Sequence, residues 1–277
     1  FSPLYTNIRH LLKGDLVFGN FETTLPGRKF KLCGYPTFRS PDILLKSLKY
    51  AGFTHLNLAN NHCMDSRIDG LIRTNKVIRK NGFKVLGYND NKENPFLIET
   101  VKDKKFGFLS YTFFTNGIPV PDNFNDNVSL WSKKRFQSEV KELKEKKVDY
   151  IFVIVHMGKE YRYYPTKKQI SIFKYLFENG VNFIIGMHPH TLQPFVFNND
   201  YDEPKFGIFS LGNLSASQTR YFTYVGAILH LDFIIQNNEI FFNTFKFHPT
   251  IRKKVKYRGG LLYTINPMED LLKKNKL

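Results

Sequence analysis

The sequence predicts an α/β fold of packed layers with a strand-rich second sheet. Helix-like and strand-like segments alternate through the first two thirds of the chain, and strand-like runs dominate the last third. Four apolar runs also end in metal-binding side-chain types. "DLVFGN" ends at Phe21-Glu22, "FTHLNLA" ends at Asn60-Asn61-His62, "YIFVIV" ends at His156, and "FIIG" leads into His188-Pro189-His190. In open parallel sheets, ligands gather beyond the carboxyl ends of the strands. Carboxylate, amide and imidazole groups repeated at those ends point to one polar site built around metal ions.

Residues 6–13 read as a short helix stopped by Gly14, and 15–20 as a strand. Ser40-Pro41 is a helix-start signal, so 42–50 is helical and stops at Ala51-Gly52. A strand follows at 53–58. Residues 68–80 place Ile68, Leu71, Ile72 and Ile78 on one helical face, closed by Asn81-Gly82, before a short strand at 84–86. The runs 96–101 and 105–111 form a hairpin across Lys102-Asp103. A loop at 117–127 precedes a helix at 133–146 carrying Phe136, Val140 and Leu143. Residues 150–155 make a buried type of strand, 167–179 a helix ended by Gly180, and 183–186 another strand. Strands are expected at 194–197, 206–210, 226–233 and 239–247. No internal repeat or linker divides the chain.

The chain has 277 residues, 42% of them apolar and 23% charged, which is a globular composition and excludes a disordered one. Its formal net charge of +17 attracts polyanions: nucleic acid, an anionic membrane surface or an acidic polymer. The basic residues are spread along the chain, so a simply solvated surface is the competing reading; the most basic stretches are 252–258 and 273–276. Cys33 and Cys63 make neither a disulfide framework nor a Cys-rich zinc site, and Cys63 reads as a small buried filler. No run of 18 apolar residues and no signal peptide is visible. The chain opens at Phe1 in what reads as mid-domain, so an upstream segment is expected to be missing.

Two His at i and i+2 around Pro189 can face one ion, and imidazole suits Zn, Mn, Fe and Ni. His156 caps an apolar strand, where an unpaired polar group is costly. Glu22 can bridge two cations with its two oxygens. Asp15 opens the same strand, about 23 Å from Glu22 in an extended chain, and reads as a turn residue. In Asn60-Asn61-His62, an amide oxygen ligand stands next to a general acid, and Asp65 can hold His62 in one tautomer.

Taken in order, these residues and their neighbours resemble a family. "DLVFGNFETTL", "LNLANNHCMD", "YTFFTNG", "VIVHMGKEYRYYPTKKQ", "GVNFIIGMHPHTLQP" and "FSLGNL" follow the order seen in bacterial capsule synthesis proteins of the CapA (poly-γ-glutamate synthesis) family, within the calcineurin-like metallophosphoesterase superfamily. The resemblance spans about residues 10–215. It implies a four-layered α/β/β/α sandwich over 1–250, followed by a basic C-terminal extension at 251–277. It also implies a dinuclear site holding two divalent ions, Mn, Fe or Zn. Glu22 takes the place of the bridging carboxylate, Asn61 of the amide ligand and His62 of the proton donor. His156 and His188 take the places of ligands to one metal and His190 of a ligand to the other. Glu160, Tyr161 and Asn213 are expected to line the substrate side. The family's first motif, a Gly-Asp pair closing an N-terminal strand, is absent, so that strand is expected upstream of Phe1.

The resemblance implies a metal-dependent hydrolase acting in synthesis or release of an anionic capsule polymer such as poly-γ-glutamate. The alternatives are a non-catalytic polymer-binding or synthase-assembly module, partnered by membrane synthase subunits, and a phosphoesterase or nuclease. Nucleic acid ranks last as a partner, since the chain carries no nucleic-acid-binding signature. The family implies the cell envelope, although no anchor is visible.

Overall fold

A computed structural model describes residues 2–90, 95–198, 204–257 and 260–273. The chain opens with a short helix, α1 (Ser2–Tyr5), continued by a 3-10 turn at Thr6–Leu11. β1 (Phe18–Asn20), β2 (His55–Asn57) and β3 (Lys84–Leu86) then pair in parallel in the order β1-β2-β3. These strands are shorter than the sequence patterns at 15–20 and 53–58. The helices between them follow the apolar spacing. α2 (Leu44–Ala51) buries Leu45, Leu48 and Ala51, and ends at Gly52 with φ 114°. A Cβ at that glycine would lie 2.3 Å from the Leu12 carbonyl oxygen, so close approach as well as backbone conformation requires glycine there. α3 (Arg67–Lys80) buries Leu71, Thr74 and Ile78 on one face.

The second sheet has the order β4-β5-β6-β7-β9-β8, from β4 (Leu97–Val101), β5 (Lys104–Thr112), β6 (Tyr150–His156), β7 (Phe183–Met187), β8 (Phe195–Asn198) and β9 (Lys205–Ile208). The β4–β5 hairpin turns at Lys102 and Asp103, both at positive φ (48° and 65°), as a tight two-residue turn demands. β5, β6 and β7 run parallel at its centre. Their alternation sorts side chains onto two faces. Leu109, Tyr111, Ile151, Val153 and Val155 join a core with residues of α4 (Lys133–Glu145) and α5 (Lys167–Glu178). Phe106, Phe108, Phe152, Ile154 and Phe183 face the other way, into a core shared with Phe18, Leu229, Leu231 and Phe233. Thr166 caps α5 in a reciprocal capping box with Gln169.

A third, antiparallel sheet joins β10 (Val225–Gln236), β11 (Glu239–Tyr257) and β12 (Gly260–Pro267), followed by α6 (Met268–Lys273). Ile228 and Ile265 pack into the core of α2 and α3, whereas Leu229 and Leu231 face the six-stranded sheet. β1–β3 and β10–β12 therefore form one layer, helices cover both outer faces, and the order is α/β/β/α, as expected.

The stretch expected as a basic C-terminal extension, 251–277, includes the end of β11, β12 and α6. Residue 251 lies inside β11, and Arg252 is 7% exposed. The basic run "IRKKVKY" hides a strand, because its apolar alternation is weak and its register comes from pairing with β12. Residues 258, 259 and 274–277 of the basic C-terminal stretches lie outside the described residues.

Candidate metal centre

The carboxyl ends of β1, β2, β6 and β7 bring the sequence-flagged groups together. At the end of β1, Asn20 donates through Nδ2 to Glu22 Oε2 at 3.1 Å. Asn57, at the end of β2, donates to Asn20 Oδ1 at 3.2 Å, and Ser110 donates to Asn57 Oδ1 at 2.6 Å from β5. This relay of short polar side chains aims the Glu22 carboxylate. Its other oxygen, Oε1, is enclosed without a hydrogen-bond partner, although the side chain as a whole is 21% exposed. It lies 3.6 Å from His156 Nε2 and 4.0 Å from His190 Nε2.

His156 ends β6 fully buried, on the strand face that looks into the space between the sheets. Its Nε2 is 2.7 Å from Asn61 Oδ1. Without a cation, Nε2–H donates to the amide oxygen; Nε2 is also the nitrogen nearer Glu22, while Nδ1 has no partner. His188 Nδ1 is buried and unpartnered as well. His188 and His190 flank Pro189 at φ values of 102° and 58°, a left-handed backbone that His rarely adopts. The Tyr161 N–H donates to the Pro189 carbonyl at 2.8 Å and braces this turn. Two groups of ligand atoms result, each within 4.8 Å: Glu22, His156 and His188, and Glu160, His188 and His190. His188 belongs to both. Glu160, expected on the substrate side, thus has its carboxylate among the imidazoles.

Burial sets the protonation of this cluster. It pushes the Glu22 carboxyl up to about 7, with His190 opposing the rise and Glu160 and Asp65 adding to it. Burial lowers His188 to about 3, helped by His190 and His62, and drives His156 well below the ordinary histidine range. Both imidazoles are neutral at physiological pH, the form in which nitrogen binds a cation. Orphaned polar atoms, neutral imidazoles and a carboxyl group that lacks a counter-charge fit a divalent cation.

His62 stands beside this cluster on the turn after β2. Its Nδ1 lies 2.7 Å from Asp65 Oδ2, and its ring packs at 4.3 Å against Phe38. Asp65 also accepts the Phe38 N–H, and Arg39 donates to the Asp65 carbonyl, so the carboxylate is fixed before it orients the histidine. Cys63, next in sequence, packs in the apolar core instead, and burial raises its thiol to about 12.

Asn213 supports His190 from behind. Its Oδ1 is 2.9 Å from His190 Nδ1, and its amide nitrogen donates to Gln218 Oε1 at 2.6 Å and to the Thr223 carbonyl at 3.0 Å. With all three contacts made to protein, its geometry is that of a support for the imidazole. The Tyr161 ring stacks on His190 at 6.1 Å, and Gln218 donates to the Tyr161 hydroxyl. Behind them, Arg252 lies between the rings of Tyr224 and Tyr263 and donates to the carbonyls of Ala216 and Gln218. Gln193 bridges Gln169 to the Arg162 and Tyr164 carbonyls and pins the 158–166 loop. Gln218 and Arg252 escape a sequence reading because each acts on a ligand through another residue, and Asn20, which touches Glu22 directly, carries no spacing signal of its own.

The profile of the family described as "Bacterial capsule synthesis protein PGA_cap" matches residues 1–218. The chain is 30% identical over 222 residues to "Capsule biosynthesis protein CapA" of Bacillus anthracis, covering 76% of this chain and 52% of that protein. It is 28% identical over 211 residues to "PGA biosynthesis protein CapA" of Bacillus subtilis (strain 168), covering 74% and 54%. It therefore spans about half the length of these curated relatives. Among solved structures, a 5'-nucleotidase precursor from Thermus thermophilus superposes with a TM-score of 0.50 at 17% identity, covering 90% of this chain and 47% of that one. A putative 5'-nucleotidase from Staphylococcus aureus gives a TM-score of 0.50 at 16% identity, covering 74% and 39%. These structural likenesses concern the fold alone, which the chain shares with those two proteins. On the sequence match over most of its length, the chain belongs to the bacterial capsule synthesis protein family PGA_cap.

Proposed function

We propose that this chain is a metal-dependent hydrolase acting in synthesis or release of an anionic capsule polymer of the poly-γ-glutamate type, at the cell envelope. The convergence of Glu22, His156, His188, His190 and Glu160 beside an Asp-oriented histidine supports this reading. Glu22 lies between the two ligand groups as the bridging candidate, Asn61 contributes an amide oxygen, and Glu160 completes the second group. Divalent cations held there would supply Lewis acidity and an activated water. The protein's own part is electrostatic and geometric. The buried imidazoles stay neutral, the Asn20–Asn57–Ser110 relay aims Glu22, and Asp65 holds His62 with Nε2 free to protonate a leaving group.

Elemental analysis of the purified protein and of a His188→Ala/His190→Ala variant tests the centre. One or two equivalents of Mn, Fe or Zn in the parent, lost in the variant, is the expected result; a metal-free parent after reconstitution would refute it. Hydrolysis of γ-linked glutamate oligomers and of model phosphoesters, assayed against His62→Ala with retained metal, then tests turnover.

A further inference from the structure

Tyr161 contacts a second group besides His190. The Arg220 guanidinium lies 4.3 Å from the centre of the Tyr161 ring. Arg220 is exposed, and among the described residues no carboxylate or carbonyl accepts from its side chain. A guanidinium whose carbon sits over an aromatic ring and whose N–H groups meet no acceptor keeps those donors available, and their fork matches a carboxylate or phosphate. An aromatic rim continues from the same place. Phe222 contacts the rings of Tyr161, Tyr163 and Tyr221 at 6.2, 5.8 and 5.4 Å. Tyr163 and Tyr221 are 53% and 78% exposed.

We infer that Arg220, seated on Tyr161 beside His190, is an anion-binding residue that takes a side carboxylate of the substrate polymer next to the reacting bond. A γ-linked glutamate chain alternates methylene pairs with carboxylates. The Tyr163–Phe222–Tyr221 rim offers apolar surface to the former, and Arg220 offers paired donors to the latter. A phosphate shares the oxyanion chemistry but gives the rim nothing to cover, so the combination favours the carboxylate polymer. Glu160, the nearby negative group, lies with His188 and His190, where a bound cation would take up its charge. The inference rests on the substrate class proposed above, and it adds the residue that recognises the polymer.

Titration calorimetry at low salt tests it with two probes, a γ-linked glutamate oligomer and inorganic phosphate. The proteins are the parent, Arg220→Gln, Arg220→Lys and the helix α4 control Lys134→Gln, each assayed for metal content and thermal unfolding. Arg220→Gln should weaken oligomer binding about tenfold or more, since a charge-assisted pair is lost, with metal content and melting unchanged. Arg220→Lys should fall between, and Lys134→Gln should change affinity less than about twofold. Oligomer binding that is equal in Arg220→Gln and the parent, or absent in both, overturns the inference. Dependence on Arg220 seen only with phosphate overturns the carboxylate assignment. A metal-free parent whose oligomer binding still needs Arg220 would sink the metal-centre reading and leave the subsite standing.

Discussion

His156 Nε2 lies 2.7 Å from Asn61 Oδ1, although 95 residues and two different sheets separate them. The bond ties the end of β6 to the turn after β2 and holds two candidate ligand atoms side by side, with Glu22 Oε1 3.6 Å from the same nitrogen. Asn61→Ala leaves a buried donor unpartnered and should cost about 1–3 kcal/mol of stability. Chemical denaturation of the metal-free protein measures this, and metal affinity should fall with it. A variant as stable as the parent would show that the pair contributes nothing.

Glu22 gives the metal-free protein a pH signature. Its folded value of about 7 exceeds the ordinary 4.5, so its contribution to stability is present in full below pH 4.5 and is lost as pH rises through 7. With chelator present, the parent should lose about 2–3 kcal/mol relative to Glu22→Gln between pH 4.5 and 7.5. Saturating cation, which favours the ionised carboxylate, should abolish that loss. Urea titrations at both pH values decide it, and parallel pH profiles for the two proteins would count against the assignment.

Asp65→Asn keeps the shape of the turn but removes the charge that fixes the His62 tautomer. Where the protein turns over a substrate, kcat should fall about 10²–10⁴-fold with metal content unchanged. Loss of metal in this variant would mean that Asp65 supports the ligands rather than the acid.

Arg252 holds the 216–218 loop whose Gln218 supports Asn213 and, through it, His190. Arg252→Ala leaves two carbonyls without their donor and should destabilise the protein by about 2–4 kcal/mol. Thermal unfolding measures the loss, and an unchanged melting temperature would show that the clamp is not used.

The two thiols should separate cleanly. Cys63 is 2% exposed with its thiol raised to about 12, whereas Cys33 is exposed. Alkylation at pH 8 should modify Cys33 in the native protein and both residues in urea. Rapid native modification of Cys63 would contradict the burial.

The layered α/β order and the clustering of polar groups at strand ends are legible in the sequence, because apolar periodicity and the punctuation by Gly and Pro are local. Glu22, Asn61, His62, His156, His188 and His190 are visible for the same reason: each directly follows or ends an apolar run. Only tertiary structure decides which of these atoms meet. The grouping of Glu160 with His188 and His190, the seating of Arg220 on Tyr161, and the reach of Arg252 from β11 to the His190 support all depend on long-range packing. The strand through Arg252 is hidden for a related reason. A basic run acquires its register from the strand beside it, and pairing energy of that kind has no counterpart in local composition.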